Sequence, residues 1–319
     1  MRGSGCSSRY SSFLVMLREV DVPPNLPLDQ LTMETLCTLQ TKLESICLGP
    51  LPDLTCDEKF RPRVWLQDLV ILDTPWNIRA ATDLEFYDSV ISECPKLRTL
   101  GLRMENILEG DESLQDTAKT DGLLCRKLFA TVKATGKRPK LDELWFQDIS
   151  LSAAARTFAR VIDFTGLRYL HMFNCPGAEI LLSHLNEQSR DVRFALRGVL
   201  YHNDITVRPI SYLQEFLGSF SSLEYLQVMD RFSVDGFDTK CLSKHFATLA
   251  HLYLGRVEDA DPEGLHWKAS FAEIQTLSRS AVVLRQLAIA LPDVRLLDAE
   301  RGDRGSFGGV FVRMYVLLR

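Results

Sequence analysis

The amino-acid sequence predicts an α/β fold built from repeated units, in which each short strand is followed by a helix. An apolar residue followed by apolar residues three and five positions later recurs nine times along the chain. Amphipathic segments with helical spacing lie between these motifs. Strands that alternate with helices in short succession form parallel sheets, and the helices cover one face of the sheet.

The repeated motif is a hexamer whose fourth and sixth residues share one face of a strand, because strand side chains alternate. One such hexamer occurs by chance in many helices, but nine in series indicate a repeat. Successive motifs begin 23 to 44 residues apart, and six of the eight spacings lie between 23 and 31. The nine are LESICL (43–48), LQDLVI (66–71), LRTLGL (97–102), LDELWF (141–146), LRYLHM (167–172), LRGVLY (196–201), LEYLQV (223–228), LAHLYL (249–254) and LRQLAI (284–289).

The series resembles the leucine-rich repeat, whose pattern is L-x-x-L-x-L-x-x-N/C with a strand and a helix in each unit. Leu167, Leu170, Met172 and Cys175 match this pattern closely. Over roughly residues 43–295 the chain is similar to the cysteine-containing, ribonuclease-inhibitor-like subclass, as in the repeat regions of fungal F-box proteins. The resemblance implies an α/β leucine-rich-repeat solenoid, with parallel strands on the concave face and helices on the convex face.

The ninth position of the pattern departs from the family. Cys175 fits it, but the other repeats have Leu51, Thr74, Glu105, Ile149, Asp204, Arg231, Val257 and Pro292 there. The asparagine ladder of regular leucine-rich repeats is therefore not expected. The solenoid is predicted to be an irregular horseshoe.

The sequence divides into three regions. Residues 1–42 show no repeat and are predicted to form an N-terminal capping region, whose second half contains a capping helix. Residues 43–300 form the repeats, with an acidic, Gly/Ser/Asp-rich inserted loop near 104–122. Residues 301–319 are a Gly-rich tail that closes on VFVRMYVLLR, either a final strand or a truncated element.

The helices between the motifs are predicted from apolar residues at helical spacing. Three stretches show it clearly: GLLCRKLFATVK (122–133), ISYLQEFLGSF (210–220) and FAEIQTLSRS (271–280).

Composition excludes several classes of partner. The net charge of -5 offers no electrostatic reason to bind nucleic acid or an anionic membrane. No apolar run is long enough to cross a membrane, and the N-terminus is too weak for a signal peptide. We therefore expect an intracellular protein, cytoplasmic or nuclear. The eight cysteines are scattered without a close pair, which favours free and mostly buried thiols.

Signals for catalysis are absent from the sequence. It contains no phosphate-binding glycine loop, no zinc-protease motif and no hydrolase or kinase signature. Cys175 and His171 lie close together in LRYLHMFNC (167–175), as a nucleophile and its base would. The repeat assigns them instead to a buried position and an outward strand position. No catalytic residue, metal site or cofactor is predicted.

The repeat register predicts which side chains face outward from the sheet. If the fourth and sixth residues of each motif point inward, the third, fifth and seventh point outward. This column is rich in aromatic and histidine residues from the fourth repeat to the eighth, and such residues are enriched where proteins bind one another. The predicted partner-binding residues are Trp145, Tyr169, His171, Phe173, Leu200, His202, Tyr225, Gln227, Met229, His251 and Tyr253.

The remaining outward positions are predicted with them, and they carry smaller or more polar side chains. They are Ser45, Cys47, Gly49, Asp68, Val70, Leu72, Thr99, Gly101, Arg103, Glu143, Gln147, Gly198, Gly255, Gln286, Ala288 and Ala290. Two alternatives stay open for the aromatic residues. A terminal helix or the tail could bury them, or His171 or His202 could transfer protons in a pocket.

The function expected from the sequence is that of a non-catalytic protein–protein interaction module. The resemblance implies the substrate-recognition part of an F-box type ubiquitin-ligase adaptor, with a ligase scaffold subunit as a further partner. Residues 1–42 show no convincing F-box. Only NLPLDQL (25–31) has a weak similarity to the first residues of that domain. The alternatives are a repeat-only structural scaffold and an enzyme with a pocket at the strand ends.

Overall fold

Parallel strands in matching register form the sheet in each half of the chain. The structure is a computed structural model that describes residues 18–21, 43–47, 69, 71–76, 83–104, 128–152, 154–203, 210–230, 237–256, 271–289 and 313–314. The chain divides into two units, Met1–Phe164 and Thr165–Arg319, and each is described by itself.

In the described part of the first unit, strands pair in chain order and each lies parallel to the next. The strands are β1 (Glu19–Asp21), β2 (Ser45–Cys47), β3 (Ile71–Trp76), β4 (Thr99–Met104) and β5 (Glu143–Gln147). The helices are α1 (Asp83–Glu93), α2 (Ala130–Thr135) and α3 (Ala155–Val161). Helices α1 and α2 each connect one strand to its parallel neighbour, and α3 follows β5.

The second unit has the same organisation. Its strands are β6 (Tyr169–Phe173), β7 (Gly198–Asn203), β8 (Tyr225–Asp230), β9 (His251–Arg256), β10 (Gln286–Ile289) and β11 (Arg313–Met314). Strands β6 to β10 are parallel, and β11 is antiparallel to β10. The intervening helices are α4 (Ala178–Gln188), α5 (Ser211–Ser219), the 3-10 helix Thr239–His245 and α6 (Phe271–Ser280). The predicted α/β fold, with parallel strands alternating with helices, is confirmed.

The predicted alternation of side chains along the strands is also confirmed. Most of the first, fourth and sixth motif residues, called inward here, form the core, and most of their alternate neighbours, called outward, keep partial exposure. Leu170 and Met172 in β6 are both 0% exposed, whereas Tyr169 between Leu167 and Leu170 is 38% exposed. Completely or almost completely buried inward residues include Leu100, Leu102, Leu144, Phe146, Val199, Leu226, Val228, Leu252 and Leu254.

The second repeat lies in a different register from the one predicted. Leu72 was expected to face outward, but it is 0% exposed and lies opposite the inward residue Leu100. The motif therefore begins at Leu69, which is also fully buried, and not at Leu66. The segment L-Q-D-L-V-I-L has leucines at both spacings, so the pattern itself fits two registers. Only pairing with β4 distinguishes them.

A recurring hydrogen bond locks neighbouring strands in this register. The carbonyl of the second motif residue accepts two successive N–H groups of the next strand. Arg197 O accepts from Glu224 N at 2.7 Å and from Tyr225 N at 2.9 Å. The same arrangement recurs at the carbonyls of Arg18, Arg98, Arg168, Glu224 and Ala250.

Strand β1 extends this pattern into the segment that was assigned to the cap. The Arg18 carbonyl accepts from Glu44 N and Ser45 N, and β1 pairs with β2 in parallel register. The residues L-R-E-V-D-V (17–22) fit the repeat with valine in place of leucine. The sequence analysis did not include this hexamer in the repeat series, although its apolar residues have the same spacing.

Aromatic side chains join the helices to the inward face of the sheet. In the first unit, the ring of Phe158 in α3 lies 4.8 Å from that of Phe146 in β5 and 5.6 Å from that of Phe129. In the second unit, Phe216 of α5 packs between Phe194 and Phe220 at 6.1 and 5.1 Å. The predicted helices at 210–220 and 271–280 are confirmed as α5 and α6.

Helix α2 depends on a carboxylate from another helix. Asp88 of α1 is 8% exposed and accepts hydrogen bonds from the backbone N–H of Thr131 at 3.0 and 3.1 Å. The Thr131 hydroxyl donates to the same carboxylate at 2.7 Å. A negative charge at a helix N-terminus stabilises the helix dipole, so this contact starts α2 where its own sequence provides no cap.

Several predicted features lie outside the described residues. They are the capping helix before residue 43, the inserted loop after Met104, the first part of the helix predicted at 122–133 and most of the tail. In the predicted terminal strand, Arg313 and Met314 do form β11, opposite Ala288 and Leu287. The outward positions Gly49, Asp68, Val70 and Ala290 also lie outside.

His245 is a buried polar residue that connects three elements of the second unit. It is 0% exposed, at the end of the 3-10 helix. Its Nδ1 accepts the backbone N–H of Leu223 at 3.2 Å, so the ring hydrogen lies on Nε2, which donates to the Leu217 carbonyl at 2.8 Å. Burial lowers the pKa of His245 from its ordinary value of 6.5, because the buried site disfavours the charged ring.

Replacing Leu170 by Asp tests the register. The substitution removes a completely buried side chain and places an unpaired charge in the core, so we expect unfolding to become easier by at least about 3 kcal/mol. Urea denaturation followed by circular dichroism measures the change. Leu200→Asp, at a half-exposed outward position on the neighbouring strand, is the matched control and should cost far less. Equal stability of wild type and Leu170→Asp would rule out the register.

His245 predicts a loss of stability at mildly acidic pH. In the unfolded chain its ring takes a proton near pH 6.5, whereas the folded chain takes it only at lower pH. Between these two pKa values the unfolded state binds more protons, so the free energy of unfolding should fall as pH drops below 6.5. His245→Gln should be less stable at neutral pH and show a shallower pH dependence. If His245→Gln keeps the wild-type pH dependence, His245 is not its source.

Candidate interaction surface

The outward residues of the second unit form three rows that cross its parallel strands. Cross-strand register places Tyr169, Gly198, Tyr225, His251 and Gln286 side by side in the first row. The second row contains His171, Leu200, Gln227, Tyr253 and Ala288. The third contains Phe173, His202, Met229 and Gly255. These fourteen residues are called the outward face below.

Ten of the eleven predicted partner-binding residues lie on the outward face. Tyr169 is exposed and the other nine are half-buried. Small residues fill the gaps: Gly198, Gly255 and Ala288 are buried although they point outward. The sequence prediction therefore gave the correct direction for these side chains, while larger neighbours decide how much of each is exposed.

Tyr169 is held in place by the glycine next to it. A Cβ atom added to Gly198 would lie 2.4 Å from Cδ1 and 2.9 Å from Cε1 of the Tyr169 ring, closer than atoms can approach. The ring thus lies directly over the backbone of β7, in the space that a side chain would occupy. Aromatic rings that cover glycines on a neighbouring strand stabilise the pairing of the two strands.

Tyr225 occupies the centre of the first row. Its ring centre lies 6.0 Å from that of His251 and 5.7 Å from that of Tyr253. Its hydroxyl donates to Gln227 Oε1 at 2.8 Å. Burial raises the pKa of Tyr225, and the neighbouring Tyr253 raises it further. The phenol therefore keeps its proton and remains a hydrogen-bond donor at neutral pH.

Gln286 receives two hydrogen bonds at the end of the row. The hydroxyl of Tyr253 donates to its Oε1. His251 Nδ1 lies 3.0 Å from the same oxygen, and because an amide oxygen only accepts, Nδ1 carries the hydrogen. Neither the Gln227 nor the Gln286 amide nitrogen donates a hydrogen bond within the part of the chain that the structure describes.

Phe173 contacts two histidines, His171 in the second row and His202 in its own row. Its ring centre lies 6.3 Å from that of His171 and 6.1 Å from that of His202. Nε2 of His202 is buried and hydrogen-bonds to none of the described residues. A general base needs a group that orients it and a proton within reach. The described surroundings of His202 offer it aromatic contacts instead.

Formal charge distinguishes the two units. A quarter of the chain's residues are charged, yet none of the fourteen residues of the outward face is Asp, Glu, Lys or Arg. In the first unit, outward positions include Glu19, Asp21, Arg103 and Glu143. The outward face is therefore a neutral, aromatic surface whose polar groups are amides, phenols and imidazoles.

Trp145, the remaining predicted residue, lies on β5 of the first unit. It is half-buried, and its Nε1 donates to Glu143 Oε1 at 2.8 Å. The Thr99 hydroxyl lies 3.5 Å from the other oxygen of the same carboxylate. Trp145 therefore has a polar, charged setting, unlike the residues of the outward face.

A run of Asp and Asn at the strand ends was missed by the sequence analysis. The eighth motif residue is Asp148, Asn174, Asn203 and Asp230 in four successive repeats, one position before the one searched for asparagine. Asp148 and Asn174 adopt left-handed backbone conformations with φ of 55° and 51°. Asn203 donates from Nδ2 to Asp230 Oδ1 at 2.9 Å, and both are buried. The signal available in the sequence was the recurrence of Asp or Asn at the eighth motif position of four successive repeats.

Burial raises the pKa of two described thiols and of the Tyr201 phenol. Burial raises the pKa of Cys94 and of Cys241 to about 12, helped by Glu93 and Asp238 respectively. Burial, with Asp230 and Cys175 nearby, also raises the pKa of Tyr201. A nucleophilic thiol needs the opposite shift. Cys175 is a free thiol, 8% exposed, that donates to the Phe173 carbonyl, so the predicted burial is confirmed.

A cleft of about 340 Å³ lies in the second unit where α4 and α5 lead into the following strands. Phe194 and Phe220 line it, and Arg190, Arg193 and Lys244 outnumber Asp191 around it. Basic residues near helix C-termini are accounted for by the helix dipole. The cleft lies near the amino ends of the strands, whereas ligand sites of α/β sheets lie beyond the carboxyl ends.

Across the residues that the structure describes, no cluster of three His, Cys, Asp or Glu side chains is placed to hold a metal ion. Within the same residues, no helix is both long and apolar enough to span a bilayer.

Comparison with known proteins found no match, either to any family model or to any curated protein.

Gly198→Ala tests the contact that holds Tyr169. The new methyl group collides with the ring, so the free energy of unfolding should fall by about 1–3 kcal/mol. The loss should shrink when Tyr169→Ala is present, because the ring is then absent. Urea denaturation of both single variants and the double variant measures this coupling. Gly218→Ala in α5 meets no atom within 4 Å and should stabilise by about 0.5–1 kcal/mol. Additive effects of Gly198→Ala and Tyr169→Ala would contradict the contact.

Proposed function

We propose that this chain is a leucine-rich-repeat solenoid that acts as a non-catalytic protein–protein interaction module. The observation that carries the proposal is the outward face of the second unit. It presents rings from Tyr169, Tyr225 and Tyr253 in a fixed arrangement and carries no formal charge. Tyrosine contributes large contact area with few rotatable bonds, and it is enriched at the centres of protein interfaces.

The solenoid assignment is supported by the repetition of one unit. The same inward positions are buried in successive strands, and a carbonyl at the same motif position links a strand to the next one in six repeats. With the second motif moved to Leu69, it begins 26 residues after the first motif and 28 before the third, which brings both spacings close to those later in the chain. Units that cannot bury their own faces stack on their neighbours to form a continuous core.

The most concrete version of the proposal rests on the resemblance stated above. A repeat region similar to those of F-box proteins would recognise a substrate protein for a ubiquitin ligase, and a separate segment would bind the ligase scaffold. A repeat-only scaffold has the same surface without the ligase. The enzyme alternative gains no support from the pKa directions of Cys94, Cys241 and Tyr201.

The test compares two tyrosines of similar exposure. Tyr169 on the outward face is 38% exposed, and Tyr212 on helix α5 is 41% exposed. Affinity capture from extracts of cells that express the protein, read by quantitative mass spectrometry, should recover a protein with wild type and with Tyr212→Ala. Recovery of that protein should fall by about tenfold or more with the double variant Tyr169→Ala/Tyr225→Ala. Cooperative thermal melts of all variants, well above the assay temperature, show that each is folded.

Two outcomes would decide against the proposal. In the first, Tyr212→Ala reduces recovery of the partner as much as Tyr169→Ala/Tyr225→Ala does, which would mean that binding does not depend specifically on the outward face. In the second, no recovered protein depends on the outward face, which would contradict the interaction function. Recovery of a ubiquitin-ligase scaffold subunit by wild type and by the face variants alike would support the adaptor version, and its absence would leave the scaffold version.

A further inference from the structure

The absence of charge on the outward face restricts what can bind there. A charged side chain that is buried against this face would lose its hydration without gaining an opposite charge, which is unfavourable. The complementary segment is therefore an uncharged one. Its contacts must come from apolar area and from hydrogen bonds to amide, phenol and imidazole groups.

The hydrogen-bonding groups restrict the ligand further. The amide oxygens of Gln227 and Gln286 already accept tyrosine hydroxyls, and that of Gln286 accepts His251 as well. What the two amides offer a ligand is their N–H groups. Next to these two amides, a complementary ligand presents acceptors and not donors. Proline has this character in a polypeptide, because it has a carbonyl and no N–H.

The aromatic rings favour the same ligand. Proline-rich segments in the polyproline II conformation bind to aromatic-lined grooves, since their rings pack flat on aromatic faces and little entropy is lost on binding. Tyr225 and Tyr253 lie 5.7 Å apart, and Tyr169 is fixed over Gly198. These rings already hold their positions in the unbound chain, which reduces the cost of binding.

The distance between strands along one row matches the repeat of a polyproline II helix. Neighbouring strands lie about 4.8 Å apart, so every second strand of the sheet repeats at about 9.6 Å. A polyproline II helix rises about 3.1 Å per residue and turns once in three residues, so one of its faces repeats at about 9.3 Å. In the first row, Tyr169, Tyr225 and Gln286 lie on every second strand. A segment that crosses the strands meets them with every third residue.

We propose that the outward face of the second unit binds an uncharged, proline-rich segment of a partner protein, which lies across the strands as a polyproline II helix. This inference rests on the proposed function and specifies the partner. Residues of the segment three apart contact Tyr169, Tyr225 and the Gln286 end of the first row. The amide N–H groups of Gln227 and Gln286 donate to its carbonyl oxygens.

An oligosaccharide is the principal competing ligand, because sugars also stack on tyrosine rings. A sugar hydroxyl both donates and accepts, however, so it needs an acceptor for its hydrogen as well as a donor. The outward face has no carboxylate, and both of its amide oxygens are already hydrogen-bonded. The chemistry of the face therefore fits a chain of carbonyl acceptors better than a chain of hydroxyls.

The experiment measures fluorescence anisotropy of a fluorescein-labelled peptide of nine prolines titrated with the full chain. We expect saturable binding that changes little between about 0.05 and 0.5 M salt, because the contacts are uncharged. A Gly-Ser peptide of equal length should not bind. Tyr225→Ala should weaken binding by about tenfold or more, and Tyr212→Ala should leave it unchanged. Thermal melts confirm that both variants are folded.

Three results would overturn the inference: no saturable binding of the proline peptide, equal binding of the Gly-Ser peptide, or equal weakening by Tyr212→Ala. Binding of maltoheptaose that depends on Tyr225, without binding of the proline peptide, would likewise replace it with a sugar site. The proposed function is tested separately. If a native partner depends on Tyr169 and Tyr225 while the proline peptide fails to bind, the interaction function stands and this inference fails.

Discussion

The register between neighbouring parallel strands is the constraint on which the rest of this structure depends. In six of the repeats, one backbone carbonyl, on the second residue of the motif, accepts two N–H groups of the next strand. A slip of one residue would exchange every inward side chain for an outward one. With that register fixed, the inward leucines meet in a core and the outward side chains align in rows. The helices then cover the inward side, as the contact of Phe158 with Phe146 shows.

Alignment into rows is what gives the outward face chemical properties that no single repeat has. Tyr169 and Gly198 belong to different repeats, yet the tyrosine ring occupies the space that a side chain at position 198 would need. Gln227 and Gln286 each accept from a tyrosine, which turns ordinary amides into oriented donors. The absence of charged residues from all fourteen positions then selects against most of the surfaces that a cellular protein presents.

The buried polar groups serve structure in the places where the contacts are described. His245 joins the end of α5 to the start of β8 through two backbone hydrogen bonds, and Asp88 starts helix α2. Asn203 and Asp230 pair at the ends of adjacent strands. Each of these contacts satisfies a buried donor or acceptor that would otherwise be costly. Desolvation likewise raises the pKa of the Cys94 and Cys241 thiols, which disfavours their thiolate forms.

The sequence by itself determined the fold class, the inward residues of most strands and the direction of the outward aromatic residues, because side-chain alternation is a local property. Leu170 and Met172, as core, and Tyr169, as surface, needed no neighbour to be assigned. Tertiary structure alone decided the register at Leu72, where leucines fit two patterns and pairing with β4 selects one. It also decided that β1 belongs to the repeat, and that Tyr169 covers Gly198. These outcomes depend on which strands lie side by side. The contacts join residues that are a full repeat apart in the sequence, so a local pattern does not reveal them.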